Sequence, residues 1–198
     1  GHAGVIMKKI ILPILILLFT SIASATTYEC DTAGEITTAL AVADDDDIID
    51  IRAGTYAVEL HPTNSGSAGH YITIQAHTGE TVTIGGSITY GALLSDRSYI
   101  KIDGINFGTT NSYWIYSSGG SNNYIVNCDF SAEGNGMAWE GCYMLNTSYN
   151  VFEDCTLSTP CTPADLLQFR GNSDYNIVTG CHFGTANHSA LRLFGTYQ

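Results

Sequence analysis

The sequence predicts an all-β chain wound as a right-handed parallel β-helix of about six coils, with one short helix capping its N-terminal end. Three observations carry this. First, a nine-residue phrase recurs down the second half of the chain. It reads Asn122-Asn-Tyr-Ile-Val-Asn-Cys-Asp-Phe130, then Tyr149-Asn-Val-Phe-Glu-Asp-Cys-Thr-Leu157, then Tyr175-Asn-Ile-Val-Thr-Gly-Cys-His-Phe183. Gap-free alignment places Asn at 123, 150 and 176, Cys at 128, 155 and 181, and a large apolar residue at 130, 157 and 183, at offsets of 27 and 26. A looser copy, Tyr99-Ile-Lys-Ile-Asp-Gly-Ile-Asn-Phe107, lies 23 residues before the first. A period of about 20 to 50 residues marks a repeat architecture. Second, each phrase is short, β-branched and aromatic, and is bounded by Gly, Asn, Ser and Thr, which is the pattern of strand and turn. Third, no sustained helical period lies between the phrases, and the Leu-x-x-Leu-x-Leu frame of a leucine-rich solenoid is missing.

In such a coil each strand pairs with its equivalents above and below at about 4.8 Å, so equivalent residues stack in columns. Asn123, Asn150 and Asn176 then form a ladder whose side-chain amides bond along the stack. Cys128, Cys155 and Cys181 form a second column, read as small buried residues rather than as disulfides. Cys30, Cys142 and Cys161 lie off that column. A Cys142–Cys161 bridge between neighbouring coils is compatible with the sequence, which does not fix the pairing.

Residues 1–6 precede the apparent initiator Met7 and are read as upstream or non-native. Residues 7–25 have a Lys8-Lys9 start, a short apolar run and an Ala23-x-Ala25 end, the layout of a secretory signal peptide. The run is too short to span a bilayer comfortably. Residues 26–198 are expected to form one β-helix domain in a secreted, extracellular or periplasmic protein. The whole chain has seven basic and nineteen acidic side chains, a net charge of −12, and loss of Lys8 and Lys9 leaves only five basic ones. That charge argues against nucleic acid or an anionic membrane as partner.

Thr26 to Asp31 reads as a first extended segment. Gly34 to Ala43 follows, with Ile36, Leu40 and Ala43 on one helical face, suited to covering the open end of the stack. Asp44 to Asp47 read as an acidic turn in preference to a cation site. Strand signals come next at Ile48–Ile51, Tyr71–Gln75, Thr81–Ile84 and Ser98–Phe107. Near the end, Ala190-Leu-Arg-Leu-Phe-Gly195 parallels Leu166-Leu-Gln-Phe-Arg-Gly171 at an offset of 24, and no cap is visible after it. The expectation is the N-terminal part of a longer β-helix with an open C-terminal edge.

The order of helix, acidic turn, Asp50-Ile-Arg-Ala-Gly-Thr-Tyr56, Tyr71-Ile-Thr-Ile-Gln-Ala-His-Thr-Gly-Glu-Thr-Val-Thr-Ile84 and Tyr99–Phe107 resembles the opening of secreted right-handed β-helix proteins of the pectate-lyase-like superfamily. It is most similar to the branch that holds chondroitinase-B-type alginate lyases. The resemblance implies extracellular polysaccharide binding and often cleavage by β-elimination, with a Lys or Arg base and frequently Ca²⁺. No catalytic motif of that branch carries over to residues of this chain, whose one lysine beyond the leader is Lys101.

Elimination needs a base for the proton beside a carboxylate and a cation for the enolate. In Leu191-Arg-Leu193 the leucines are expected to face inward, which turns Arg192 outward. Its expected counterparts are Gln168 one coil back and Cys142 one coil further, with Arg170 on the same side and His188 in the turn before. Arg170, Arg192 and His188 are the candidates for chemistry on this strip and Gln168 the candidate for substrate contact; otherwise these are solvated surface groups. Asp129, Glu153 and Asp154 are candidate oxygen ligands for Ca²⁺, provided a turn makes them converge. Trp114, Tyr116, Trp139 and Tyr143 can stack on sugar rings, although inward packing accounts for Trp114, Tyr116 and Tyr143. Two functions follow as expectations: a secreted carbohydrate-active protein that binds and cleaves an extracellular polysaccharide, or a non-catalytic surface, adhesin or glycan-binding solenoid.

Overall fold

The structure, a computed structural model, describes residues 24–130, 141–158, 165–186 and 188–195. Residues 1–23, which hold most of the expected signal peptide, and Trp139, Cys161 and Asn187 lie outside the described residues. The chain opens with β1 (Thr27–Cys30) and α1 (Ala33–Val42) and then winds through six coils. The first holds β2 (Ile48–Ile51), β3 (Gly54–Tyr56) and a bridge from Leu60 to Ala92. The second holds β4 (Ile72–Ala76), β5 (Val82–Ile84) and β6 (Tyr90–Leu93). The third holds β7 (Ile100–Asp103), β8 (Ile105–Phe107) and β9 (Tyr113–Ser118); the fourth β10 (Tyr124–Val126), β11 (Asp129–Phe130) and β12 (Cys142–Leu145). The fifth holds β13 (Val151–Glu153), β14 (Thr156–Leu157) and β15 (Leu167–Arg170); the sixth β16 (Ile177–Thr179), β17 (His182–Phe183) and β18 (Leu191–Phe194).

Corresponding strands pair in parallel and make three sheets: β1-β2-β4-β7-β10-β13-β16 (sheet A), β3-β5-β8-β11-β14-β17 (sheet B) and β6-β9-β12-β15-β18 (sheet C). The two-residue alternation explains the core. Ile72 and Ile74 of β4 and Ile100 and Ile102 of β7 are fully buried, while the residues between them are partly exposed. Inside the stack Phe130 lies between the parallel ring of Phe107, at 4.7 Å, and Trp114, at 5.6 Å.

Helix α1 begins with a capping box: Thr32 accepts from the Glu35 amide, and Glu35 accepts from the Thr32 amide. Its buried face is Ile36, Ala39 and Leu40, followed by buried Ala43, and it packs on β1 and β2. The helix thus covers the first coil, where backbone edge and core would otherwise meet water. The aspartate run is a built turn. Asp47 is buried and accepts from the amides of Thr26 and Asp44, while Asp45 and Asp46 bond Ser67 and His70. No membrane-crossing helix occurs among the described residues.

The asparagine ladder forms, but largely through the backbone. The Asn150 side-chain oxygen accepts from the Asn123 amide, and that of Asn176 accepts from the Asn150 amide, each at 2.9 Å. A direct side-chain link joins Asn150 Nδ2 to Asn176 Oδ1 at 3.0 Å. The remaining amide groups of Asn123 and Asn176 bond to Arg97 and Thr147 carbonyls. Each link ties a turn to the next coil. Cys128, Cys155 and Cys181 are free thiols that give hydrogen bonds to backbone carbonyls, as expected of packed residues. Cys142 is also free and fully buried, opposite Ile115 and Leu167, so it faces the core and not a bridge. Between sheets A and B one residue in each of the last four coils takes a positive φ, at Gly104, Asn127, Asp154 and Gly180. Gly, Asn and Asp recur there because they tolerate that conformation best.

At the last described coil the inner face is open. Leu191 and Leu193 are 41% and 58% exposed, whereas their partners one coil back, Leu167 and Phe169, are covered. A groove of about 370 Å³ lies there, lined by Phe169, Tyr175, Val178 and Leu193 among others. It is the mouth of the core and holds none of the candidate catalytic side chains.

Candidate functional site on the outer face of sheet C

The outer face of sheet C concentrates aromatic and cationic side chains. In β9 both Trp114 and Ile115 turn inward, so the alternation restarts and Tyr116 points out. The register then places Leu93, Tyr116, Tyr143, Gln168 and Arg192 in one outward column across five strands. This corrects two expectations. Tyr116 and Tyr143 do not pack inward, and the counterpart of Gln168 is Tyr143, with Cys142 one residue over on the core side. Trp114, as expected, is wholly inside.

Four half-buried tyrosines form a platform. The Tyr116 and Tyr143 rings are parallel at 5.6 Å, Tyr90 and Tyr113 stack at 6.1 Å, and the pairs join through Tyr90–Tyr116 at 5.4 Å and Tyr113–Tyr143 at 5.5 Å. Burial, with the charge of Tyr143 and Tyr90 behind it, pushes the Tyr116 hydroxyl pKa up, so the ring stays neutral. Rings on adjacent coils sit one strand spacing apart, about 4.8 Å. Arg170 continues the surface, with its guanidinium 5.8 Å from the Tyr143 ring and 5.0 Å from Phe194.

Beyond Tyr143 the column runs into a polar cluster centred on Asp165, which is 2% exposed. Asp165 Oδ1 meets His188 Nδ1 at 2.6 Å, and Oδ2 accepts from Arg192 at 3.0 Å and Gln168 Nε2 at 2.9 Å. Burial alone raises a carboxyl pKa. Here the hydrogen bonds from His188 and Arg192 and the charge of His188 outweigh it, and Asp165 is held below its ordinary value, as the carboxylate. A carboxylate only accepts, so His188 Nδ1 carries the hydrogen of that bond, and Nε2 is the ring nitrogen not engaged by Asp165. The His188 side chain is 54% exposed. The structure therefore brings His188 and Arg192 together through a residue the sequence reading did not single out. The available signal was the coil period: Asp165 stands 23 and 27 residues before its two partners.

Gln168 is a correction of another kind. It lies on the outward side of β15 yet is fully buried, flanked by Tyr143 and Arg192 and bonded to Asp165. It holds Asp165 and is not a surface contact for substrate. Its Oε1 has no partner among the described residues.

The proposed Ca²⁺ ligands do not converge. Glu153 sits on the outer face of sheet A and accepts from the Tyr124 hydroxyl, whose pKa that bond pushes up to about 12. Asp154 occupies the turn, and Asp129 lies in sheet B beside Asn106 and Thr156. The turn between Glu153 and Asp129 aims them at different faces. No cluster of three or more His, Cys, Asp or Glu able to hold a metal occurs among the described residues. Lys101 pairs with Asp103 at 2.8 Å on sheet A, away from sheet C.

Six parallel coils with a stacked asparagine ladder define a solenoid class, and the family comparison agrees. Residues 68–197 match the family model described as a right handed beta helix region, and the chain belongs to that family. A search of curated proteins finds no match. Among solved structures it is similar to pectate lyase Pel9A, with TM-score 0.65 and 18% identity over 80% of this chain. It is also similar to an alginate lyase from Paenibacillus sp. str. FPU-7, with TM-score 0.64 and 19% identity over 83% of this chain. A rhamnogalacturonan lyase matches at TM-score 0.52 and 13% identity over 87%. The chain spans 48% of the pectate lyase, 68% of the alginate lyase and 63% of the rhamnogalacturonan lyase. At these identities the likeness is one of fold.

Proposed function

We propose that this chain is a secreted carbohydrate-active β-helix protein that binds an extracellular polysaccharide along the outer face of sheet C and cleaves it by β-elimination. The observation that carries the reading is the tyrosine platform that leads, in one register column, into the Asp165–His188–Arg192 cluster. Aromatic faces spaced one coil apart suit successive sugar rings, and the cations at the end of the column suit an acidic sugar. Two of the five basic residues beyond the leader, Arg170 and Arg192, stand on this face, which offsets the negative field of the rest of the chain where a uronate would bind. The fold shared with three polysaccharide lyases supports the same reading. The test is incubation with alginate, pectate and chondroitin, with and without Ca²⁺, while the ultraviolet absorbance of the unsaturated product is followed. A rise with one of them is expected; no rise with any of them removes the elimination reading for those glycans.

A second reading, a non-catalytic glycan-binding or adhesive solenoid, is favoured by the net charge of −12, which repels polyanionic glycans at large. Co-sedimentation with a neutral polysaccharide and no unsaturated product from any uronate glycan would select it.

A further inference from the structure

We infer that His188 is the proton-abstracting base of the outer face of sheet C, that Asp165 is its positioning residue, and that Arg192 is the cation that receives the sugar carboxylate. This rests on the glycan-cleavage reading above and adds the residues that carry it. A buried carboxylate is kept in a protein only when it is paired and hydrogen-bonded. Asp165 is 2% exposed and its two oxygens are taken by an imidazole, a guanidinium and an amide. The three partners come from its own coil and the next, so the cluster is assembled by the winding of the chain and not by one loop. A buried ion pair is weak evidence of a stabilising role, because desolvation offsets much of its attraction, and the coils are already tied by the asparagine ladder.

The arrangement has the layout of an activated base. The carboxylate fixes the ring and its tautomer from the buried side, and Nε2 is presented on the exposed side, as in catalytic pairs where an acid orients a histidine. Arg192 shares the same carboxylate, which places a cation beside the ring. A guanidinium has five donors, and one is used on Asp165. The column then sets the distances: Arg192 is two strands from Tyr143, about 10 Å along the axis, so a chain stacked on the tyrosines delivers a later sugar to the cluster.

In the step, His188 Nε2 takes the proton from the ring carbon bearing the uronate carboxylate. The C–H electron pair becomes the enolate, whose charge Arg192 offsets. The enolate collapses to a C=C bond to the neighbouring ring carbon and breaks that carbon's bond to the glycosidic oxygen. The electron pair leaves on that oxygen, which takes the proton back from the imidazolium and becomes a hydroxyl. Protons and electrons balance with no added reactant, and the neutral histidine is restored.

The test uses the full chain on whichever of alginate, pectate or chondroitin it cleaves. His188→Ala is expected to lower kcat by about 10²–10⁴-fold, the usual worth of a general base, with KM little changed. Added imidazole is expected to restore part of that rate, which a structural role for His188 would not allow. Asp165→Asn is expected to lower kcat at least 10-fold with KM retained, because the carboxamide no longer fixes the tautomer. The control is His182→Ala, an exposed histidine on sheet B, which leaves the rate unchanged. Thermal melts of His188→Ala and the more conservative His188→Gln show that the fold survives. If wild type cleaves and His188→Ala cleaves equally well, or falls without imidazole rescue, the base assignment is overturned and the lyase reading stands. If wild type cleaves none of the three glycans, both are overturned.

Discussion

Asn150→Ala is the most informative single perturbation of the fold. Asn150 is fully buried, and its Oδ1 is the acceptor for the buried Asn123 amide at 2.9 Å. Removing it leaves that donor without a partner inside the stack, at a cost of about 1–3 kcal/mol. The second loss, Nδ2 to Asn176 Oδ1, is milder because Asn176 Oδ1 keeps the Asn150 amide; it is worth about 0.5–1.5 kcal/mol. Together these give a destabilisation of roughly 2–4 kcal/mol, or a fall in Tm of roughly 4–16 °C for a domain of this size. Circular dichroism melts and urea titrations of wild type, Asn150→Ala and the exposed control Asn111→Ala measure it, and the control is expected to stay within about 0.5 kcal/mol. A loss for Asn150→Ala no larger than the control's would refute the claim that the ladder ties successive coils together.

Phe130→Ala is expected to cost about 3–5 kcal/mol by denaturant titration, since it removes the ring between Phe107 and Trp114. Gly141→Ala is expected to cost about 1–3 kcal/mol on the same titration, because a Cβ there overlaps the Leu166 carbonyl oxygen and comes within 2.9 Å of the Trp114 ring. Acid stability follows Asp50, which burial would push up but which hydrogen bonds from Gln75 and His77, with the charges of His77 and Arg52, bring below its ordinary value. A lowered folded-state pKa contributes stability that is whole above the unfolded value of about 3.9 and is lost as pH falls through the folded one. Melting temperature measured from neutral pH downward is therefore expected to drop below about pH 4, and to drop less steeply in Asp50→Asn.

The fold was legible because a parallel solenoid writes its contacts into the sequence as a period. Asn123, Asn150 and Asn176 recur at the coil length, and each bonds to a neighbouring coil. The capping helix was legible for a local reason, the apolar stripe at Ile36, Leu40 and Ala43, to which the structure adds the capping box at Thr32. The site was harder to read, because inside and outside are told apart by alternation, and alternation breaks at β9. Counting by twos from Trp114 puts Tyr116 inside, whereas Trp114 and Ile115 both turn in and the count restarts. Tyr143, the partner of Tyr116 one coil on, points out with it, and the register sets Tyr143 rather than Cys142 opposite Gln168. Burial of Gln168 and Asp165 was invisible for a different reason. It arises from Arg192 and His188 of the next coil, and a polar residue looks exposed until its partners are placed.

The central claim is that glycan binds on the tyrosine face of sheet C, and affinity electrophoresis through gels holding alginate, pectate or chondroitin tests it most directly. Wild type is expected to be retarded by at least one of them. Tyr116→Ala/Tyr143→Ala, which removes two outward rings at 5.6 Å and leaves the core intact, is expected to bind roughly 10-fold more weakly while still folding, with a melting temperature lowered by the lost ring contacts. Free migration of wild type through all three gels, or equal retardation of the double variant, would contradict the account.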